Sequence, residues 1–322
     1  MVGQGVPPVG LVLLVVLGFL IATTVNTFAM EAAVLFTPAF LFVFPAVVPG
    51  FPQIGPNAAI GLALFVELFG YSSSVTAYWF RKQIDFHLAR KLLVITVPVA
   101  VLARVVSYRF PPDLLMGVFG GLLLVLSVVM YEAHEHGPSV VDRLMEVPVT
   151  SLGSGDLGRL SGTEVPAHYE PRTRVRADGS AVESGTRAHA AFEALDYAMT
   201  VVGGALAGLV GIAVGELSQV TLSVRKRLPI DVSTGTSAFV LHLTIVAALV
   251  TNVALLVWAP HMAGEEFTVP FGVGTFVAVG CVFGGQMGAY LNNRLAESTI
   301  VGMLIVAYAL VGLFVTTRTL FL

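Results

Sequence analysis

Apolar residues along this chain gather into ten stretches, at residues 9–29, 32–48, 57–80, 88–108, 112–131, 190–214, 217–224, 233–258, 269–291 and 299–317. Several exceed the ~20 residues that carry a helix across a bilayer. Between residues 132 and 188 the pattern changes, with Gly, Ser, Pro, Arg and acidic residues in quick alternation. That stretch has no helical or alternating apolar period, which predicts a mobile loop. The chain therefore reads as an all-α polytopic membrane protein in three parts: residues 1–131, a polar loop 132–188, and residues 189–322.

The two apolar parts resemble each other. Gly18, Ala22, Asn26 and Glu31 fall on Gly203, Ala207, Gly211 and Glu216 at a constant offset of 185. Ile60-Gly61 and Phe65-Val66 match Thr234-Gly235 and Phe239-Val240 at an offset of 174, and Gly117 with Gly302 restores 185. One insertion of about eleven residues in the first copy, in the Pro-rich stretch Pro45 to Pro56, accounts for both offsets. An internal repeat whose halves each open on an interrupted, polar-tipped apolar segment is the sequence pattern of a secondary transporter.

Composition agrees with membrane residence: 56% of residues are hydrophobic and 11% charged, against ~25% charged in soluble domains. A net charge of −3 gives no basic patch for nucleic acid. The single cysteine, Cys281, excludes an internal disulfide and a cysteine-built metal site. The first apolar stretch has no basic residue before it and no small-residue cleavage site, so it reads as a retained segment.

Basic residues give an orientation. If 9–29 with 32–48, and likewise 190–214 with 217–224, form hairpins that return to the side they entered from, each half is a hairpin plus three spans. The odd number inverts the second half. Fourteen of the 17 basic residues then share one side, leaving Arg104, Arg109 and Arg318 on the other. The basic side is expected to be cytoplasmic, with the central loop there and both termini outside.

Glu31 and Glu216 fall at the breaks of the two hairpins. A carboxylate at membrane depth costs ~2.5–3.5 kcal/mol and usually faces a bundle interior or a wet cavity. Asn26 and Thr27 accompany the first, and Gly211, Gly215, Ser218 and Gln219 the second. A helix restarting at such a break presents unpaired N–H groups and partial positive charge, which suits an anion. Small residues there also serve close helix packing. Ser233-Thr234-Gly235-Thr236-Ser237 opens the next span, and Gly235, Thr236 and Ser237 make a second candidate anion cradle, although Ser and Thr also cap helices. Glu67 and His242 lie deeper in the equivalent spans, where either is placed to relay a proton or simply to bond a neighbouring helix. His134 and His136 flank Glu135 without the spacing of a helix-borne zinc site. Arg225-Lys226-Arg227 reads as a headgroup anchor, and no catalytic constellation emerges.

Gly208-Leu209-Val210-Gly211-Ile212-Ala213-Val214-Gly215-Glu216, then Leu228-Pro229, Thr234-Gly235-Thr236-Ser237 and Gly284-Gly285-Gln286-Met287-Gly288-Ala289, resemble the TauE/SafE family of sulfite exporters. The resemblance covers the chain except its central loop. It implies a permease, without cofactor, moving small sulfur oxyanions or organosulfonates across the cytoplasmic membrane. The first half departs from the family, with Asn26 to Glu31 standing where a glycine-rich run is usual. The expected roles are anion binding by Asn26, Thr27, Gly211, Gly215, Ser218, Gln219, Gly235, Thr236 and Ser237, and proton coupling by Glu31, Glu216, Glu67 and His242. The alternatives are a cation carrier using Glu31 and Glu216, and a non-transporting protein whose central loop binds a partner.

Overall fold

A computed structural model describes residues 5–28, 30–136, 173–175, 181–183, 192–222, 228, 230–258, 269–292 and 294–321. Most of the central loop and Arg225-Lys226-Arg227 lie outside the described residues. Within the loop, Thr173–Val175 (β1) and Ala181–Glu183 (β2) pair antiparallel, with Thr173 opposite Glu183. A single-loop reading of 132–188 missed that pair. The Asp178-Gly179 dipeptide between the strands, a common hairpin-turn signal, could have found it.

The first half contains α1 (Pro8–Thr27), α2 (Ala32–Val47), α3 (Pro56–Phe80), α4 (Phe86–Ser107) and α5 (Pro112–His136). The second contains α6 (Ala194–Val210), α7 (Val214–Val220), α8 (Ile230–Trp258), α9 (Phe271–Asn292) and α10 (Glu297–Phe321). Among the described residues, six helices are long and apolar enough to cross a membrane: α1 and α9 whole, and most of α3, α5, α8 and α10. Helix α4 has the length, but Arg90, Lys91 and Arg104 break its apolar run.

Proline opens α1, α3 and α5, where its missing N–H costs nothing and its fixed φ fits the first turn. The Asp85 carboxylate caps α4 by accepting from the His87 and Leu88 N–H groups at 3.0 and 3.1 Å. Inside α2 the turns widen to a π-helix over Ala39–Val43, between Pro38 and Pro45. A proline in mid-helix lacks a donor and crowds the carbonyl a turn back, and widening relieves that clash.

Both hairpins turn back on themselves. In the first, Gly10 lies against Val48 and Pro49, and Gly50 against the Gly5 carbonyl, so the two arms end side by side. In the second, Gly203 lies against Ala213 and Val214, and the Thr221 hydroxyl reaches Met199 Sδ at 3.9 Å. The second tip is sharper. Gly211 ends α6 at φ +83°, and Ala213 precedes α7 at φ +90°, an uncommon conformation for a residue with a Cβ.

The principal contacts map onto one another when the halves are exchanged. Helix α1 packs on α9 and α6 on α4; α3 meets α9 as α8 meets α4; α3 with α8, and α5 with α10, face their own counterparts. Small residues allow the closest of these approaches. Gly280, Gly284 and Gly288 of α9 lie one turn apart against the backbone of α1, and Gly204 and Gly208 of α6 lie against Thr96 and Ala100 of α4. Helices α4 and α8 run parallel with three polar contacts down their seam. Asp85 N–H donates to Thr236 Oγ1 (2.9 Å), the Thr96 and Thr244 hydroxyls meet at 3.1 Å, and Arg104 reaches Asn252.

Candidate functional site

The two hairpin tips meet between α3 and α8, about midway along both. Each tip is held by the carboxylate of the other. Glu31 Oε1 accepts from the Gly215 N–H (2.5 Å), while Glu216 Oε1 accepts from the Glu31 N–H (3.1 Å). Glu67, from α3, accepts from the Ala32 N–H at 2.7 Å. The N–H groups that a helix leaves open at its start are thus filled by carboxylates, as the partial charge there favours. Glu31, Glu67 and Glu216 are 1, 1 and 6% exposed, and each keeps its second oxygen, Oε2, without a hydrogen-bond partner.

Two tyrosines complete the cluster. Tyr308 of α10 donates its hydroxyl to Glu216 Oε1, and Tyr71, one turn beyond Glu67, donates to the Met30 carbonyl at 2.7 Å. Beside the tips lies a pocket of about 280 Å³, its open mouth included, lined by Asn26, Tyr71, Tyr78, Gly215, Thr234, Ser237, Ala238 and Leu241. It extends from the tips toward the end at which α3 finishes and α8 begins.

The expected binding residues divide into two groups. Asn26, Gly215 and Ser237 line the pocket, and Gln219 contacts the pocket residue Thr234, its Nε2 lying 3.4 Å from Oγ1. The others sit beside it in packing positions. Thr27 bonds back to the Thr23 carbonyl (2.7 Å) and its own carbonyl accepts from Asn292 (2.8 Å). Gly211 lies among Ala33, Ile60 and Leu64, Gly235 lies against the Gln83 backbone, and the Thr236 hydroxyl accepts from Asp85. Ser218 is buried on α7. Of the expected proton-coupling residues, Glu31, Glu67 and Glu216 form one cluster, whereas His242 is half-buried on α8 and is not a lining residue of the pocket.

Sequence reasoning missed Tyr71, Tyr78 and Tyr308. Tyr71 had a signal, since it follows Glu67 by one helical turn and shares its face. Tyr308 had none, because its counterpart in the repeat is Leu123.

Paired broken hairpins and a buried polar centre within a bundle of apolar helices define a multi-pass membrane permease. The chain belongs to the TauE/SafE family: the family model described as "Sulfite exporter TauE/SafE" matches residues 14–315. It is a membrane transporter and not an enzyme. It is also similar to the "Probable membrane transporter protein YunE" of Bacillus subtilis (strain 168), with 24% identity over 301 residues, covering 94% of this chain and 95% of that protein. No solved structure matches it.

Proposed function

We propose that the protein carries a small anion, a sulfur oxyanion or organosulfonate, across the cytoplasmic membrane by alternating access coupled to protons. The observation that supports this most is the pair of crossed bonds from Glu31 to the Gly215 N–H and from Glu216 to the Glu31 N–H. Each carboxylate is a tethered anion lying where a mobile one would bind. When a carboxylate takes up a proton its hydrogen bond loses charge assistance, which roughly halves its strength. The N–H group is then available to a substrate arriving from the pocket. Anion and carboxylate thus compete for the same donors, and protonation of the carboxylate, which favours the anion, is the coupling.

The charged and titratable groups facing the two carboxyls are Glu67 and Tyr71 from α3 and Tyr308 from α10. Around the anion, Asn26, Tyr78, Thr234 and Ser237 supply neutral donors. The family's description supports the sulfur oxyanion. In this reading residues 1–131 and 189–322 are repeats inverted in the bilayer, and the pocket opens at the end bearing Arg81, Lys82 and Arg294. That end is cytoplasmic, as is the central loop, with both termini outside.

The free Oε2 oxygens of Glu31 and Glu216 favour a second reading, a cation carried by that pair, although no three His, Cys, Asp or Glu side chains are grouped so as to hold a metal ion among the described residues. Flux of sulfite, thiosulfate and methanesulfonate into proteoliposomes, with and without a pH gradient, separates the two. Saturable anion flux that follows the gradient, and loses that dependence in Glu216→Gln, is the expected result. If Glu216→Gln still follows the gradient, the coupling role falls. If folded protein moves no anion and a cation raises its thermal stability, the cation reading takes first place.

A further inference from the structure

The seam between α4 and α8 ends in a polar pair that the hairpin tips do not use. Arg104, near the C-terminal end of α4, is 1% exposed, and Asn252, facing it from α8, is 0% exposed. Arg104 Nε and Nη2 both donate to Asn252 Oδ1, at 3.1 and 2.8 Å, and the Tyr108 hydroxyl donates to the same oxygen. The guanidinium also lies over the Tyr108 ring, 5.3 Å from its centroid. Arg104 Nη1 and Asn252 Nδ2 have no hydrogen-bond partner.

The amide can face only one way. Arginine carries donors alone, so Oδ1 must point at it, and Nδ2 is left as a buried donor. The positive charge is then met by one neutral amide oxygen and by Tyr108, through its ring face and its hydroxyl, neither of which neutralises it. Among the described residues no carboxylate interacts with Arg104; Tyr108 is the titratable group that faces it. A buried charge left uncompensated is strongly destabilising, and intramembrane arginines ordinarily pair. The unused Nη1, with the second proton of Nη2, is a buried fork of the kind that grips an oxyanion through two parallel bonds.

We propose that Arg104 and Asn252 form an anion-binding site separate from the hairpin tips. Its ligand is a single oxyanion group, either a small free sulfur oxyanion or the phosphate of a lipid headgroup. The separation follows from the helix. Leu241 of α8 lies against the Gly215 tip, and Asn252 lies about 16 Å further along the axis at ~1.5 Å per residue. The pocket extends the opposite way, through Ser237 and Thr234. One ion cannot occupy both places, and binding at Arg104 does not depend on the transport reading.

The test is thermal unfolding of delipidated protein in neutral detergent at constant ionic strength. One arm is titrated with sulfite, the other with phosphatidylglycerol against phosphatidylcholine. A saturable rise in Tm is expected in at least one arm, kept in Glu216→Gln and reduced in Arg104→Gln and Asn252→Asp to what the hairpin tips alone contribute with sulfite, and to nothing with phosphatidylglycerol. A reduction with sulfite identifies the free anion, and a reduction with phosphatidylglycerol alone identifies the lipid. Asn252→Asp supplies the missing negative charge, so its unliganded Tm should at least equal that of the wild type without ligand. Should Arg104→Gln fail to fold, Asn252→Asp carries the comparison. The proposal is overturned if wild type responds to neither probe, if Asn252→Asp responds like wild type, or if the response is lost in Glu216→Gln but kept in Arg104→Gln.

Discussion

Gly288 sits where packing and site meet, so a single methyl group there tests how far one depends on the other. A Cβ at this position would lie 2.5 Å from Asn26 Cβ, 2.7 Å from the Thr23 carbonyl and 3.0 Å from the Thr27 N–H nitrogen. Carbon atoms attract best at ~3.5 Å or more, so the first contact is about 1 Å too short. Its neighbours are backbone and the root of a side chain, with no flexible end to swing away. Helix α1 must therefore shift on α9 by an appreciable part of that 1 Å. Overpacking of this kind costs about 1–3 kcal/mol, and a gap of ~0.5–1 Å elsewhere along the interface forfeits a quarter to a half of each contact it opens. Asn26 lines the pocket, and α1 leads into the tip that carries Glu31, so the shift should reach the crossed carboxylate bonds. Gly288→Ala is expected to lower the Tm of detergent-purified protein and to reduce flux into proteoliposomes. The control is Gly302→Ala, where nothing lies within 4 Å and the helix gains ~1 kcal/mol of propensity. If Gly288→Ala matches Gly302→Ala in both Tm and flux, the close approach of α1 and α9 does not position the site.

Two further outcomes are expected. Tyr308→Phe removes a donor to Glu216 Oε1, which keeps its bond from the Glu31 N–H, so thermal unfolding should show a loss of about 1–2 kcal/mol. The pH profile of flux should move as well, which a purely structural tyrosine would leave in place. Gly211→Ala should cost about 1–2 kcal/mol from backbone conformation alone, because its Cβ would meet only ordinary contacts at 3.6 Å while φ is +83°. A fully stable Gly211→Ala protein would show that the second tip can turn in another way.

The apolar stretches and the repeat made the helices legible, because membrane spans are read from length and composition and a shared offset survives substitution. Glu31 and Glu216 were legible for the same reason: a charge inside an apolar run stands out. What each glutamate bonds to was not legible. The expectation reserved the tip N–H groups for a substrate, whereas the crossed geometry gives them to the opposite carboxylates. No local pattern encodes a contact between residues 184 or 185 positions apart. Thr236 shows the same limit from the other side. Its hydroxyl, a candidate for anion binding from its run of Ser and Thr, is bonded to Asp85 across the α4–α8 seam. Arg104 entered the sequence reading only as a charge to be counted, since its partner Asn252 lies on another helix of the other repeat.

The exchange of partners between the halves also sets an order on synthesis. Helix α1 is made first, yet the glycine-lined surface it packs on belongs to α9; Asn292 of α9 bonds the Thr27 carbonyl 265 positions back. At ~5–20 residues per second, α1 waits roughly 13–50 s for that partner. Helix α4 likewise waits for α6, and Arg104 for Asn252. The first half is therefore a set of helices inserted before most of their main neighbours, and the transporter's core closes only as α9 and α10 leave the ribosome.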